Sequence, residues 1–218
     1  KLLHEQVLAI PRFYCIGTHP TDLPYNRGRH PLHWLIALGI QNTKLSFFKI
    51  NEGVDTGNVL LQTPFELDGT DTIADAAEKL NQAGYLGTKR LCEKLNKYPE
   101  YMGEKQDSSK GNVWRKHTPH DVTLDLRLSV DLIVKIVRSF APPYPCANLI
   151  YEKDTVKISG AFIVEADMAI EDLQRLEHGK ILHAEKKSIT IKVDNGIVRL
   201  IAKDDLPKSL LSAKYIHP

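Results

Sequence analysis

The 218-residue sequence contains no apolar run that approaches the roughly 18 residues of a membrane-spanning helix. Its first residues also lack the pattern of a signal peptide. Only three cysteines are present, Cys15, Cys92 and Cys146, and none forms a Cys-x-x-Cys pair. An odd and scattered set of cysteines disfavours a disulfide scaffold and a zinc site, and indicates free thiols in a reducing compartment. We therefore expect a cytoplasmic protein that binds neither a membrane nor a structural metal.

The sequence also lacks an excess of charge of either sign. Its 29 basic and 27 acidic residues give a net charge of +2. Residues 111–218 alone carry 16 basic and 14 acidic side chains. Nucleic-acid-binding domains usually show a basic face or a pI above about 9. The balance makes a nucleic acid the less favoured partner, although a local basic patch can lie within a balanced total.

The distribution of apolar residues predicts an α/β amino-terminal part and a β-rich carboxy-terminal part. A long helix is expected over 71–96, because its apolar residues recur at steps of three and four. Residues 106–128 are predicted to be a polar linker. After a helix over 129–140, five short runs separated by tight turns suggest a small barrel. We therefore expect two domains, at 1–105 and 129–218. Three apolar runs in the first domain have the length of strands: 13–16, 45–50 and 58–67.

Two loops are the best candidates for a chemical role. The first contains His19 and follows an apolar strand, and the second contains Asp55 between two glycines. In α/β folds, functional residues concentrate on loops at strand ends. A histidine titrates near neutral pH and a carboxylate can orient it, so the pair suits proton transfer. Each residue also has a structural interpretation, since a histidine beside proline is usually a loop residue and an aspartate often caps a turn.

Taken together, the two loops resemble the formyltransferase family that uses 10-formyltetrahydrofolate. The family loop reads approximately Asn-x-His-x-Ser-x-Leu-Pro-x-x-Arg-Gly. Residues 17–28 read Gly-Thr-His-Pro-Thr-Asp-Leu-Pro-Tyr-Asn-Arg-Gly. The later family element, Asp-x-Gly, stands at 55–57, and Asp55 follows His19 by 36 residues, as in the family. Either motif alone is a weak signal, whereas the two at this separation form a specific one.

The resemblance implies an α/β fold class. It implies the carboxy-terminal part of a formyltransferase-type doubly wound sheet domain, followed by a small OB-like β-barrel domain. The pattern at 137–147 resembles the entry to that second domain. The family carries a further βα half before the matching region, so we expect this chain to be a piece of a longer protein whose parallel strands lie outside it.

The resemblance also implies functional residues. His19 and Asp55 would catalyse formyl transfer from 10-formyltetrahydrofolate to an amine, with no metal required. Tyr25 and Asn26 would face the acceptor, while Arg27 would either shape the loop or reach a phosphate. A pocket for the folate cofactor would be lined by six residues: Leu2, Leu3, Leu8, Ile50, Asn51 and Glu52.

Three alternatives remain open for the function. A nucleotide-linked amino sugar is favoured, because residues 24–32 are more similar to the sugar-modifying members. Methionyl-tRNA formyltransferase is the alternative. The third is a catalytically impaired relative that still binds folate or a nucleotide. It is suggested by Gly17, which replaces the family asparagine whose amide helps to hold the formyl oxygen. Losing one such donor typically costs about 10²–10³ in rate, unless a backbone N–H or Thr18 substitutes. A homodimer is also left open.

Overall fold

A three-stranded antiparallel sheet forms the basis of the amino-terminal unit. We describe the protein from a computed structural model, which describes residues 3–165 and 170–217. Strand β3 (Asn42–Lys49) lies between β1 (Ile16–His19) and β4 (Val59–Glu66). The register places His19 opposite Ser46 at the end of β1. The sheet thereby fixes the backbone from which the His19 side chain projects.

Helices and short strands complete this unit. Helix α2 (Pro31–Leu38) begins at Pro31. Proline is favoured at the first helical position, because an N–H there would have no acceptor within the helix. In α3 (Ile73–Lys97), Gly87 lies so close to β3 that a Cβ there would be 2.3 Å from Phe47. A residue with a side chain would not fit at this point without displacing the Phe47 ring. The remaining bounds are α1 (Glu5–Leu8), α2 (Pro31–Leu38), α3 (Ile73–Lys97), β2 (Arg27–Gly28) and β5 (Val113–Trp114).

Strand β1 differs in position from the predicted strand. The apolar run at 13–16 is largely exposed, with Phe13 at 53%, and the paired residues begin only at Ile16. Pairing with β3 decides the strand, rather than the apolar character of the preceding residues. His19 is therefore the last residue of a strand and not part of a loop.

The sheet shows little of the doubly wound arrangement. Its β1–β3 and β3–β4 pairs are antiparallel, and the parallel pairing described in this unit joins only two residues of β2 to two of β5. The α/β class is confirmed, because this unit combines a sheet with helices and α3 packs against the sheet at Gly87. The parallel strands of a doubly wound sheet are not among the residues that the structure describes.

The carboxy-terminal unit contains a five-stranded antiparallel sheet in the order β6-β7-β10-β9-β8. Helix α4 packs against β7, and its Ile133 and Val137 are fully buried with Ile158 and Leu200 of the sheet. Ser129 caps α4 by accepting a hydrogen bond from the Leu132 N–H. The elements are α4 (Val130–Ser139), β6 (Ala147–Tyr151), β7 (Asp154–Val164), α5 (Ile170–Gln174), β8 (Ile181–Glu185), β9 (Ser188–Lys192), β10 (Ile197–Ala202) and α6 (Lys208–Leu211).

A closed barrel is not shown. Within the described ranges, β6 and β8 are the outer strands of the sheet and no ladder joins them. The five strands after α4 agree with the prediction in number, and the helix covers part of one face. The structure therefore shows a helix-covered antiparallel sheet.

The predicted linker at 106–128 contributes to both units. The first unit ends at Lys116 and the second begins at His117, with Ile36–Gly39 and Thr70–Ala74 grouped with the second. Before the boundary, Gln106 is buried and β5 pairs with β2. After it, Leu124 and Leu126 belong to the carboxy-terminal core. Around Gln106 the polar composition predicts a spacer, because burial through hydrogen bonds leaves no apolar pattern.

None of the helices in the described parts of the chain combines the length and the hydropathy that a bilayer span requires.

Candidate active site

The imidazole of His19 is almost completely buried, and the residue is only 4% exposed. Its Nε2 lies 2.8 Å from the carbonyl oxygen of Asn26. A carbonyl can only accept a hydrogen bond, so Nε2 carries a hydrogen and donates it. Nδ1 is therefore the ring nitrogen that is left to take up or release a proton.

The side chain of Asp55 meets this second nitrogen. Oδ2 of Asp55 lies 3.5 Å from Nδ1 of His19, and the N–H of Gly28 donates to the same oxygen at 2.8 Å. The 3.5 Å separation is within ion-pair range but longer than a normal hydrogen bond. The Asp55 side chain is 18% exposed and that of His19 is 6% exposed. The carboxylate is thus the more accessible member of the pair.

Both residues that present an oxygen to the His19 ring have a left-handed backbone. Asn26, whose carbonyl accepts from His19, has φ of 60°, and Asp55 has φ of 53°. Residues other than glycine rarely adopt positive φ, although asparagine and aspartate do so more readily than most. Such conformations concentrate at functional sites where the surrounding structure holds them. Here they aim a carbonyl and a carboxylate at the two nitrogens of one ring.

Buried hydroxyl groups hold the loop that follows His19. Thr21 and Ser46 are fully buried. The Thr21 hydroxyl lies 2.9 Å from the carbonyl of Tyr25 and 3.2 Å from that of Asn26. The Ser46 hydroxyl donates to the Thr21 carbonyl at 2.6 Å and accepts from the Leu23 N–H at 3.2 Å. These bonds tie the loop to β3 and fix the Asn26 carbonyl under the imidazole.

Gln106 is a residue of the site that the sequence did not reveal. Its Oε1 accepts from Nε and Nη2 of Arg27, at 3.1 and 2.7 Å. Its Nε2 donates to the carbonyls of Asp55 and Gly57, at 2.8 and 2.7 Å. In the sequence, Gln106 is one polar residue in a polar stretch, and nothing in that pattern marks it.

The residues predicted to face the acceptor differ in their surroundings. Tyr25 is 47% exposed and Asn26 is half-buried. The guanidinium of Arg27 is bonded to Gln106, so two of its donor groups point into the protein. Of the two roles predicted for Arg27, the geometry favours shaping the loop.

The predicted folate-binding residues are only partly placed by the structure. Leu2 lies outside the described residues. Leu3 is exposed and Leu8 is half-buried at the end of α1. Ile50 is half-buried directly after β3, and Glu52 is exposed.

Asn51 has a structural contact within the turn that carries Asp55. Its Oδ1 accepts from the Gly53 N–H at 3.2 Å and from the Thr56 hydroxyl at 2.9 Å. This side chain therefore shapes the turn.

Two groups at the position of the family asparagine face away from the His19 side chain. The Ile50 N–H donates to the Cys15 carbonyl, so the alternation of an antiparallel ladder makes Gly17 and Phe48 a hydrogen-bonded pair. The Gly17 N–H is then taken up by β3. Thr18 is exposed, and its side chain lies on the sheet face opposite to that of His19. The space beside Gly17 is filled by Ile50 and Phe48, whose Cγ1 and Cζ would be 3.0 and 3.1 Å from an added Cβ.

Across the described residues, 3–165 and 170–217, no group of three or more His, Cys, Asp or Glu side chains is arranged to hold a metal ion.

Comparisons with known proteins connect both units to one family. Residues 1–90 match the family described as "Formyl transferase", and residues 116–214 match "Formyl transferase, C-terminal domain". A curated methionyl-tRNA formyltransferase from Caldicellulosiruptor saccharolyticus is 30% identical over 203 residues, which is 92% of this chain. The chain spans 62% of the length of that relative.

Solved structures give the same fold. A methionyl-tRNA formyltransferase from Clostridium thermocellum is similar with a TM-score of 0.58 and 27% identity, covering 70% of this chain and 65% of its own. An N-formyltransferase from Helicobacter canadensis, in complex with folinic acid and dTDP-3-aminofucose, has a TM-score of 0.64 and 17% identity. That match covers 86% of this chain and 65% of the other.

The turn that carries Asp55 should not tolerate a side chain at Gly57. A Cβ at this position would lie 1.6 Å from the carbonyl oxygen of Lys49, so backbone must move. We expect Gly57→Ala to lower the free energy of unfolding by about 1–3 kcal/mol or more, as measured by urea denaturation. The control is Gly69→Ala, whose Cβ would meet only Gln41, at 3.8 Å. Equal stability of the two variants would contradict the described packing.

Proposed function

This chain belongs to the formyl transferase family, and from that premise we propose that the protein transfers a formyl group from 10-formyltetrahydrofolate to the amine of an acceptor. The observation that carries the proposal is the 3.5 Å approach of His19 Nδ1 to Asp55 Oδ2. The folinic acid bound by the Helicobacter canadensis structure supports a reduced folate as the donor. No metal takes part in the proposed reaction.

In the proposed reaction, the amine nitrogen attacks the formyl carbon, and the bond from that carbon to the folate nitrogen breaks. The amine must lose one proton and the departing folate nitrogen must gain one. The His19–Asp55 pair accepts the first proton and returns one to the folate nitrogen, so it ends in its starting state. Asp55 meets the amine because its carboxylate is the more exposed of the two side chains.

The domain and pocket assignments belong to the same proposal. Residues 1–105 form the catalytic domain, and residues 129–218 form an OB-like carboxy-terminal domain. The apolar residues Leu2, Leu3 and Leu8 and the backbone of 50–52 line the folate pocket. The placement of Ile50 and Asn51 directly before the Asp55 turn supports the second group.

For the acceptor we propose a nucleotide-linked amino sugar. Residues 111–218 have no marked basic excess, and a sugar-modifying neighbour shares the fold. Methionyl-tRNA formyltransferase is the second candidate, because the relative at 30% identity carries that name. The two candidates differ in physical chemistry, since tRNA binding displaces counterions and weakens steeply as salt rises.

The acceptor is tested with the full-length protein, 10-formyltetrahydrofolate and two kinds of acceptor, following the release of tetrahydrofolate. We expect turnover with one or more nucleotide-linked amino sugars and a KM that changes little between 50 and about 200 mM salt. Turnover with methionyl-tRNA alone, with a KM rising by about 10³ or more over that range, would select the second candidate. Binding of folate without turnover on any acceptor would indicate an impaired relative.

Loss of either member of the central pair should remove transfer. We expect His19→Ala and Asp55→Asn each to lower kcat by about 10²–10⁴, the usual contribution of acid–base groups. The controls are His183→Ala and Asp172→Asn, two exposed positions outside the pair, with circular dichroism to confirm folding. Wild-type kcat in a folded His19→Ala or Asp55→Asn protein would refute the assigned roles.

Restoring the family amide should raise the rate. In this chain the space beside Gly17 is filled by Ile50 and by the tip of the Phe48 ring. Because Ile50 makes the closest of these contacts, Gly17→Asn is best combined with Ile50→Ala. Since one donor to a developing oxyanion is worth about 10²–10³ in rate, we expect kcat of the double variant to exceed that of Ile50→Ala by about tenfold or more. An unchanged kcat in the folded double variant would show that this chain stabilises the oxyanion by other means.

A further inference from the structure

The side chain of Gln106 is fully engaged in hydrogen bonds. A carboxamide offers two N–H donors and one oxygen that accepts two bonds. In Gln106 the oxygen accepts twice from Arg27, and the nitrogen donates to the carbonyls of Asp55 and Gly57. The residue is only 8% exposed. A buried amide with every group paired fixes the relative positions of its partners, because each loss would leave a buried group unpaired.

The partners of Gln106 lie on two segments, the turn that carries Asp55 and the loop that follows His19. Asp55 and Gly57 belong to the turn that carries the carboxylate, and the backbone carbonyls of both accept hydrogen bonds from Gln106. Arg27 immediately precedes Gly28, whose N–H binds the Asp55 carboxylate. Gln106 therefore links the backbone of Asp55 to Arg27. The residue after Arg27, Gly28, binds the Asp55 side chain through its N–H.

The stretch of chain that follows Gln106 also binds Asn26, the second residue with positive φ. The N–H of Asn26 donates to Oδ1 of Asn112 at 2.9 Å, and the N–H of Arg27 donates to the Asn112 carbonyl at 3.1 Å. Gly111 lies against Pro24, where a Cβ would be 2.1 Å from the carbonyl oxygen. Both residues with positive φ beside His19 are thus braced by one segment, residues 106–114, which we term the brace.

We propose that Gln106 is a positioning residue of the transferase, which sets the approach of the Asp55 carboxylate to Nδ1 of His19 by holding the Asp55 turn against Arg27. The residue does not touch the reacting atoms, and it acts through Asp55. This inference rests on the proposed formyl transfer, because only then does the His19–Asp55 separation control a rate.

The informative variant is Gln106→Glu in the full-length protein. It has the same size and still accepts from Arg27, but it presents an oxygen to the carbonyls of Asp55 and Gly57. A displacement of about 1 Å in a catalytic group can cost 10² in rate. We expect kcat to fall by about a hundredfold and the KM for the acceptor to change by less than about twofold. Gln82→Glu, on the exposed face of α3, is the control and should alter neither constant.

A double-variant cycle separates positioning from general support of the fold. If Gln106 acts through Asp55, then adding Gln106→Glu to Asp55→Asn should lower kcat by less than about a further twofold. A residue that only supports the fold would lower kcat by the same factor in both backgrounds. That additive result would overturn the inference.

A measurement independent of turnover distinguishes failure of this inference from failure of the proposed function. The ¹⁵N signal of His19 Nδ1 should shift in Gln106→Glu in the same direction as in Asp55→Asn, in protein shown to be folded by circular dichroism. A wild-type signal in Gln106→Glu, beside a shifted one in Asp55→Asn, would overturn the inference even if no acceptor were ever turned over. If Gln106→Glu does not fold, Gln106→Asn, which keeps the amide but is one methylene shorter, is read by the same signal.

Discussion

The approach of a carboxylate to an imidazole depends here on backbone that is held in an unfavourable conformation. Asn26 and Asp55 both have positive φ, and each presents its oxygen to a different nitrogen of the His19 ring. Asparagine and aspartate reach positive φ more readily than most residues, but the conformation is uncommon and is held by the surrounding contacts. The buried hydroxyls beneath one loop and the amide of Gln106 behind the other supply the opposing bonds. The geometry of the His19–Asp55 pair therefore depends on these supporting hydrogen bonds.

The amino-terminal motifs predicted the centre of the site because they are local. A histidine on a loop after a short apolar run, and a glycine-bounded turn that carries an aspartate, are visible in short windows of sequence. Their convergence is implied by the family spacing of the two motifs, and the structure places the side chains 3.5 Å apart. The prediction of the strand at 13–16 is wrong in its bounds, because the ladder with β3 runs from Ile16 to His19 and pairing is not visible in the apolar character of a short run.

Gln106 and the rest of the brace could not be predicted for a different physical reason. Periodicity reports burial only when burial is apolar. Gln106 is buried through the hydrogen bonds of its amide, and Asn112 is held by hydrogen bonds to the backbone of Asn26 and Arg27. The composition of the brace is therefore that of a solvent-exposed spacer. In the carboxy-terminal unit the apolar pattern was reliable for the opposite reason, since α4 and the five strands bury isoleucine, leucine and valine side chains. Strand pairing across the ends of that sheet is a non-local property, and the pattern predicted a closure that the described ladders do not show.

The brace also has a consequence for how the protein is made. Arg27 and Gln106 are 79 residues apart, and Asn26 and Asn112 are 86 apart. Contacts of such separation close a large loop, and the entropy of closing it opposes their formation until both ends are present. Because domains begin to fold from the amino terminus during translation, His19 and Asp55 leave the ribosome well before the brace does. The nascent chain therefore carries both side chains without their full set of supporting hydrogen bonds until α3 and the brace have been synthesised.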